Sequence, residues 1–156
     1  MSILTAILLS LVLGGEPLPD DALAIAMASQ RAVESDGPMP GTDQAETIAR
    51  LLVTAHEESR FDMTRSGDSG HSHSAFQIWA DATLTDTPEK AARVALRMLK
   101  DSATHCPGHI LAQYAGGCDR PLAQRISDHR LKRAATLLRV ARKIEATTVA
   151  RTTSPP

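Results

Sequence analysis

The alternation of apolar and polar residues predicts one well-defined amphipathic helix in the first half of the chain. Apolar side chains at positions 45, 48, 51, 52 and 55 follow the three-four spacing of a single helical face. Asp43, with Glu46 three residues later, resembles a capping box, so the helix is expected to start near Asp43. It ends in Glu57-Glu58-Ser59-Arg60-Phe61 and leads into a loop of small residues, Ser66 to Ser74.

The same periodicity predicts further helices on both sides of this one. Thr87-Pro88-Glu89 predicts a helix start, because threonine can cap a first turn and proline is favoured at the first helical position. The other expected helices are Ala22 to Val33 behind Asp20 or Asp21, His109 to the glycine pair Gly116-Gly117, a short one opened by Pro121, and one capped by Ser127 or Asp128 and ending near Glu145.

Residues 1–15 contain an apolar run of about eleven residues, Ile3 to Leu13, followed by Gly14-Gly15. The run is too short to span a bilayer comfortably. It fits a secretory signal peptide cleaved near Gly14 or Gly15, although no Lys or Arg precedes it. We therefore expect export, to the periplasm, the extracellular space or a virion. An uncleaved hydrophobic anchor and a buried N-terminal helix are the alternatives.

The fold is expected to be all-α, or α with a very small β element. The only extended piece in the pattern lies around Ala75 to Ile78. At 156 residues, the chain is long enough for one domain with a core of ordinary size. After residues 1–15 we expect an N-terminal helix and linker at 16–42, a catalytic domain at 43–145 and a flexible tail at 146–156.

The two adjacent glutamates of the main helix are expected to lie in different environments. At about 100° per residue, Glu58 falls roughly 70° from the centre of the apolar face, whereas Glu57 falls roughly 170° away, in solvent. Burial disfavours the charged form of a carboxyl group, so Glu58 is expected to be protonated near neutral pH and able to donate a proton. An isolated glutamate at a helix end is more simply a surface residue.

Three short motifs resemble, in order, those of the lysozyme-like lytic transglycosylases. The first is Glu58-Ser59-Arg60-Phe61, beside the family pattern Glu-Ser-x-Phe. The second is Ser74-Ala75-Phe76-Gln77, where Gly-Leu-Met-Gln is usual, and the third is Tyr114-Ala115-Gly116-Gly117, where Tyr-Asn-Ala-Gly is usual. The resemblance covers about the middle half of the chain. Serine replaces the usual glycine at position 74, and alanine replaces the usual asparagine at position 115.

The resemblance implies a lysozyme-like helical domain with a substrate cleft. Glu58 matches the catalytic acid and base of the family, Tyr114 the tyrosine that orients it, and Gln77 a glutamine that lines the substrate site. Ser59, Ser74 and Phe76 are expected to contact substrate beside them. No cofactor and no metal is implied, and the implied partner is the glycan strand of peptidoglycan.

The activity implied by this resemblance is cleavage of the β-1,4 bond between N-acetylmuramic acid and N-acetylglucosamine. Glu58 would protonate the leaving oxygen and then take the proton from the muramoyl 6-hydroxyl as that oxygen closes on the anomeric carbon. A hydrolytic muramidase is the first alternative, with Asp68, or Asp81 behind it, as a second carboxylate. The second is a non-catalytic wall-binding or assembly protein. A role in secretion, conjugation or phage assembly is compatible with each.

The chain has only four aromatic residues, Phe61, Phe76, Trp79 and Tyr114. Sugar rings stack on aromatic faces, but aromatic side chains are also the largest core fillers. Phe61 and Phe76 are expected in the core, whereas core and cleft are equally compatible with Trp79 and Tyr114.

The only cysteines, Cys106 and Cys118, are expected to form a disulfide in an exported chain. Two buried thiols are the simpler alternative. The rival is a zinc site built from His105, Cys106, His109 and Cys118, with His71 and His73 in a second site, but the spacing matches no standard zinc-binding pattern.

Net charge is −1, so charge predicts neither a nucleic-acid nor a membrane partner for the whole chain. Charge is nevertheless uneven, with eight Lys or Arg against one Asp between Arg120 and Lys143. A basic helix face is most simply a solvated face. The functional interpretation is attraction to anionic wall polymers, and no base-reading motif points to nucleic acid.

Overall fold

The computed structural model describes residues 1–79 and 81–153 and confirms the predicted fold class. The described part of the chain is mostly helical, with one very small antiparallel sheet. The helices are α1 (Ile3–Leu13), α2 (Ala22–Asp36), α3 (Gln44–Ser59), α4 (Pro88–His105) and α5 (Pro121–Thr153), and the strands are β1 (Ser66–Gly67), β2 (Ser72–His73) and β3 (Ile78–Trp79).

Helix α3 lies at the centre of the molecule, with most of its side chains from Thr47 to Ala55 buried. It begins as predicted, because the Asp43 carboxylate accepts a hydrogen bond of 2.8 Å from the backbone N–H of Glu46. It ends at Arg60 and Phe61, whose φ angles of 59° and 67° turn the chain sharply. This turn carries the Phe61 side chain into the core, where it is fully buried.

Helices α1 and α2 belong to the same hydrophobic core as the rest of the molecule, so the core crosses the boundary expected at residues 42 and 43. Helix α1 packs against α2, α3 and α5, and α2 packs against α4. The segment expected as a linker is also packed. Met39 is buried, and its N–H donates to Thr47 Oγ1 at 3.0 Å.

Helix α1 packs into the protein with one side buried. This is the arrangement expected if residues 1–15 form a buried N-terminal helix, the alternative to a signal peptide and to a hydrophobic anchor. Leu8, Leu9, Val12 and Leu13 are all buried. Within residues 1–79 and 81–153, no helix has the combination of length and apolar character needed to cross a membrane.

The start of α4 confirms its prediction, since Thr87 Oγ1 accepts a hydrogen bond of 3.3 Å from the Lys90 N–H and Pro88 is the first helical residue. Asp21, one of the two predicted positions, is the N-cap residue of α2 but makes no side-chain capping bond. Its carboxylate instead accepts a hydrogen bond of 3.0 Å from the Met63 N–H.

The short helix predicted from His109 to Gly117 does not form, and a series of turns takes its place. Side chains from the neighbouring helices satisfy the backbone here. Ser127 Oγ accepts from the Leu111 N–H at 3.0 Å, and Ser102 Oγ accepts from the Gln113 N–H at 3.1 Å. These tertiary hydrogen bonds act together with local turn bonds, such as that from the Ala112 N–H to the His109 carbonyl at 2.7 Å.

Helix α5 is continuous where two helices were predicted. Ser127 and Asp128, the expected caps, lie inside it and bind the turn segment instead, Asp128 through a 2.8 Å contact with His109 Nδ1. The helix continues to Thr153, so residues 146–153 of the expected flexible tail are helical. Residues 154–156 lie outside the described part.

The serine and glycine rich loop contains more regular structure than predicted. Strand β1 pairs with β2 and β2 with β3, both antiparallel. The expected extended piece around Ala75 to Ile78 contributes only Ile78, which is buried and begins β3. The sheet stands beside the end of α3 and forms one wall of a cleft.

Candidate functional site

A cleft with a volume of about 630 Å³ brings the three motif segments together. Its walls come from the end of α3, the small sheet, the turn segment 106–120 and α5. Among the predicted site residues, Glu58, Asp68, Gln77 and Tyr114 line it, and the other lining residues include Arg65, Gly67, Trp79, Gln113 and Arg130.

Glu58 lies at the last turn of α3 with 23% of its side chain exposed, close to the half-buried position that the helical spacing predicts. Arg130 Nη2 donates a hydrogen bond of 2.6 Å to Glu58 Oε1, and the Arg130 side chain is only 7% exposed. This contact with α5 is not contained in the spacing of residues within α3, from which the position of Glu58 was predicted.

The prediction that Glu57 points into solvent is wrong, because α5 packs across the end of α3 and covers it. Its side chain is 18% exposed. Glu57 accepts from Arg130 Nε at 3.2 Å and from Arg133 Nη1 at 3.0 Å, and His129 Nε2 lies 3.3 Å away. The two glutamates therefore share Arg130 instead of occupying opposite environments.

Arg133 extends this network to the N-terminal helix. Its Nη2 donates to the Val12 carbonyl at 3.0 Å, at the end of α1, while its Nη1 lies 3.2 Å from His56 Nδ1. Burial lowers the pKa of His56, and the positive charge of Arg133 lowers it further. A continuous set of charged contacts thus links α1 to Glu58.

Tyr114 lies beside Glu58 in the cleft, but its hydroxyl donates to the carbonyl of Phe76 and not to Glu58. Burial raises the pKa of Tyr114, and the negative charge of Glu58 raises it further. The hydroxyl is therefore a fixed donor. It holds the backbone before Gln77 in place, which corrects the expectation that Tyr114 orients Glu58 directly.

Gln77 is held in the cleft wall by its side-chain amide, whose Nε2 donates to the Ser74 carbonyl at 2.9 Å and to the Arg65 carbonyl at 3.0 Å. Its Oε1 approaches Gly67 closely. A Cβ atom at position 67 would lie 2.5 Å from Gln77 Oε1, which is far inside van der Waals contact. Gly67 is thus the residue that leaves room for Gln77.

Ser59, Ser74 and Phe76 lie beneath the cleft, with exposures of 4%, 2% and 0%. These three expected substrate contacts present no surface to a ligand in this structure. Ser59 Oγ donates to the Ala75 carbonyl at 2.9 Å and so ties the end of α3 to the strand loop. Ser74 adopts a φ of 67°, so the serine takes the left-handed conformation that glycine favours at this position.

Asp68 is a candidate second carboxylate, because it lines the same cleft as Glu58. Its carboxylate accepts a hydrogen bond from Ser72 Oγ. Asp81, the reserve candidate, lies outside the cleft lining and caps a short turn. Hydrogen bonds from the Thr83 hydroxyl and N–H, at 2.7 and 2.9 Å, lower the pKa of Asp81.

Trp79 is the aromatic residue that the structure exposes most. Its side chain lies in the cleft wall at the end of β3 and is 69% exposed. The His71 ring stacks on it, with ring centroids 5.1 Å apart and an angle of 8° between the planes. Phe61 and Phe76 are in the core, as predicted.

Cys106 and Cys118 form the predicted disulfide, with their Cα atoms 5.2 Å apart. It closes the turn segment that carries Tyr114. The described residues contain no group of three or more His, Cys, Asp or Glu side chains arranged for a metal ion. In the disulfide form, neither sulfur is a thiolate ligand for the rival zinc site.

Arg130 contacts both glutamates and lines the cleft, but it is not among the site residues predicted from the sequence. A usable signal exists in the pattern, because positions 123, 127, 130, 134, 138 and 141 follow helical spacing and all are buried. A charged side chain on a buried helical face requires a partner. The adjacent pair Glu57-Glu58 is the most concentrated source of negative charge on another predicted helix.

Fold and site together define a small, mostly helical protein with a carboxylate set into a cleft. Comparison of the chain with protein-family models, with curated protein sequences and with solved structures finds no match.

Proposed function

We propose that this protein is a lytic transglycosylase that cleaves the β-1,4 bond between N-acetylmuramic acid and N-acetylglucosamine in peptidoglycan. The observation that carries the proposal is the convergence of Glu58, Gln77 and Tyr114 on one cleft of about 630 Å³. These residues lie on α3, in the strand loop and in the turn segment, so only the tertiary fold brings them together. The cleft is large enough to enclose sugar rings.

Glu58 is the proton carrier in this proposal. In its neutral form it protonates the glycosidic oxygen, and the bond to the anomeric carbon breaks. The resulting carboxylate accepts the proton of the muramoyl 6-hydroxyl as that oxygen bonds to the anomeric carbon. The proton that Glu58 gave is thereby restored, and the product is a 1,6-anhydro sugar.

Arg130 supports the second step, because its guanidinium donates a charge-assisted hydrogen bond of 2.6 Å to the Glu58 carboxylate. The same contact holds the Glu58 side chain in the cleft wall.

Hydrolysis is the second candidate reaction, and the position of Asp68 in the same cleft favours it. Asp68 would activate water or stabilise positive charge on the sugar ring. A non-catalytic wall-binding protein is the third candidate. The ion pair between Glu58 and Arg130 favours it, since ion pairs between packed helices are also found as purely structural contacts.

Export is proposed with the function, because peptidoglycan lies outside the cytoplasm. The disulfide between Cys106 and Cys118 is compatible with an oxidising compartment. The proposed partner is the glycan strand, in wall remodelling, secretion, conjugation or phage assembly.

Mass analysis of the fragments released from purified peptidoglycan tests the proposal. An anhydro end on the muramoyl residue supports lytic transglycosylation, and a free reducing end supports hydrolysis. Binding to the wall without any soluble fragment supports the non-catalytic candidate and contradicts both enzymatic ones.

The substitution Glu58→Gln tests the assignment of the proton carrier. We expect fragment release to fall on the order of a hundredfold or more, because the amide cannot donate the proton. Glu89→Gln, an exposed position on α4 outside the cleft lining, is the matched control. A Glu58→Gln variant as active as this control would show that the proton carrier lies elsewhere.

A further inference from the structure

Trp79 has an unusual position for the only tryptophan of the chain. Of the four aromatic side chains, Phe61 and Phe76 are fully buried and Tyr114 packs against the core. Trp79 is 69% exposed and stands in the cleft wall. Single exposed apolar residues are common on protein surfaces, so exposure alone assigns no role. A role is indicated by the way the backbone at Trp79 is anchored and by its place in the same cleft lining as Glu58 and Gln77.

Trp79 belongs to β3, a short strand whose backbone is anchored on two sides. Ile78, its neighbour in β3, is buried and faces the core. Strand β3 pairs with β2 in a register that sets Ser72 opposite Trp79. The backbone that carries the exposed ring is thus fixed from the core side and from the neighbouring strand.

His71 fixes the ring itself. The imidazole and the indole are nearly parallel, at an angle of 8°, with centroids 5.1 Å apart. One face of the indole is therefore covered by His71, and the opposite face is left to meet a ligand. Because the stack limits rotation of the indole, less side-chain entropy is lost when a ligand binds.

We propose that Trp79 is a stacking platform for one N-acetylhexosamine ring of the glycan strand, with His71 as the residue that positions it. This inference rests on the proposed function, because it assigns a sugar subsite within the same cleft. A pyranose ring presents a face of C–H groups, which is apolar and matches the large indole face. Its hydroxyl and acetamido groups then remain at the ring edge.

The polar residues of the cleft suit that edge. Arg65, Asp68 and Gln77 belong to the same lining as Trp79 and provide donors and acceptors beside an apolar ring face. An apolar platform bordered by a few fixed polar groups is the usual composition of a site for a small polar ligand.

The single tryptophan makes a direct test available in the otherwise native chain. The Glu58→Gln variant, which retains Trp79, is titrated with chitotetraose and with a stem-free glycan fragment from peptidoglycan. We expect a saturable change in tryptophan emission and protection of the emission from acrylamide quenching. Unchanged emission and quenching, while calorimetry records binding of the same fragment, would overturn the platform.

Substitutions at the platform provide the second measurement. Trp79→Ala is expected to weaken glycan binding by about tenfold, whereas Trp79→Phe, which retains a ring face, should lose much less. Leu84→Ala is the matched control, since Leu84 is an exposed apolar residue outside the cleft lining, with 53% exposure. Circular dichroism and thermal unfolding verify that each variant is folded.

His71 is tested against its neighbour His73, which has no stacking contact with the indole. His71→Ala should weaken binding and increase acrylamide quenching of free Trp79, and His73→Ala should change neither. Equal effects of the two substitutions would show that the stack does not position the ring.

Failure of the platform and failure of the proposed cleavage give different results. If the wild-type chain releases fragments but Trp79→Ala binds and cleaves like Leu84→Ala, the platform is refuted and cleavage stands. If no fragment is released but Trp79 emission saturates with glycan, cleavage is refuted and the platform stands. If neither response occurs, both are refuted.

Discussion

Arg130 is the residue that joins the two glutamates at the end of α3. Its Nη2 donates to Glu58 Oε1 at 2.6 Å and its Nε to Glu57 Oε2 at 3.2 Å, and its own side chain is only 7% exposed. Removing its charge should therefore leave both carboxylates without the donor that they share.

Arg130→Met provides the first prediction, since methionine is also unbranched and can fill part of the space without the charge. Without the guanidinium, Glu58 loses the donor that holds it and Glu57 loses one of its arginine contacts, so we expect fragment release to fall by about tenfold or more as the carboxylate moves. The measurement is the rate of fragment release from peptidoglycan. Arg125→Met, at an exposed position of the same helix, should leave the rate unchanged. An unchanged rate in Arg130→Met would contradict the role assigned to Arg130.

Gly67 provides the second prediction at this scale. In Gly67→Ala the new methyl group would meet Gln77 Oε1, and Gln77 is held by the carbonyls of Ser74 and Arg65. We expect about tenfold lower activity with little change in thermal stability, because the clash displaces a half-buried amide of the cleft wall and not a core residue. Kinetics and a melting curve of the same sample measure both.

A double variant separates this explanation from a general effect on the loop. If alanine at position 67 acts by displacing Gln77, then adding Gly67→Ala to Gln77→Ala should cause little further loss. Independent, additive losses would show that Gly67 matters for another reason.

The motif residues could be predicted individually from the sequence, but their neighbours could not. Glu58 was expected at the edge of a buried face because its angle to the apolar stripe of α3 is a local property. The environment of Glu57 depends on α5, which lies more than 60 residues further along the chain. The spacing of apolar residues within α3 cannot reveal a contact between Glu57 and α5.

At the scale of elements, helices with strong periodicity and an exposed cap were predicted correctly, whereas elements fixed by tertiary hydrogen bonds were not. The caps of α3 and α4 are local contacts over three residues. The turn segment 106–120 instead combines its own backbone turn bonds with hydrogen bonds to Ser102 and Ser127, which belong to two different helices. The local sequence of this segment does favour a helix, but the tertiary contacts override that preference.

The disulfide of the turn segment provides the third prediction. Cys106 and Cys118 are 12 residues apart, and a loop of that size contributes about 3 kcal/mol in the chain-entropy model. Cys106→Ser together with Cys118→Ser should lower the free energy of unfolding by about this amount, measured by urea denaturation. Reductant should lower the stability of the wild type but not that of the double variant.

His56, which lies where α1, α3 and α5 meet, provides a prediction of how the free energy of unfolding depends on pH. Burial lowers the pKa of His56, so the folded protein binds a proton there less readily than the unfolded chain does. The neutral form is therefore the stabilising one, and its contribution is present above the unfolded pKa of about 6.5 and is lost as the pH falls below it.

His56→Gln tests this sign. The free energy of unfolding of the wild type should decrease between about pH 6.5 and pH 5, and the variant should show a smaller decrease over the same range. Urea denaturation at several pH values measures both slopes. A steeper decrease in the variant would contradict the neutral assignment of His56.

At the scale of the whole molecule, one hydrophobic core includes side chains from residues 1–15, from 16–42 and from the expected domain at 43–145. Residues 1–15 differ from the rest in composition, and composition is what identified them as a separate unit. Their side chains Leu8, Leu9, Val12 and Leu13 are nevertheless buried among the other helices. An apolar run of this length is equally suited to a signal peptide and to a core helix, so only the packing distinguishes them in this structure.

Deletion of residues 1–15 provides the last prediction. Burying one leucine or valine contributes about 1.5–3 kcal/mol, so four of them amount to a large part of the 5–15 kcal/mol by which domains are usually stable. The shortened chain is expected to lose cooperative unfolding, measured by denaturation and near-ultraviolet circular dichroism. Leu8→Ala, a milder change, should cost about 2–5 kcal/mol. A shortened chain that unfolds cooperatively with unchanged stability would favour the cleaved signal peptide.

The contact from Arg133 to the Val12 carbonyl also makes two fates of the first helix mutually exclusive. While α1 lies in lipid, the Val12 carbonyl at its end cannot accept the hydrogen bond from Arg133, the residue that also contacts Glu57. A molecule whose first helix lies in a bilayer therefore has an incomplete network of contacts behind Glu57 and Glu58. Release from the bilayer and completion of the network would then be one and the same event.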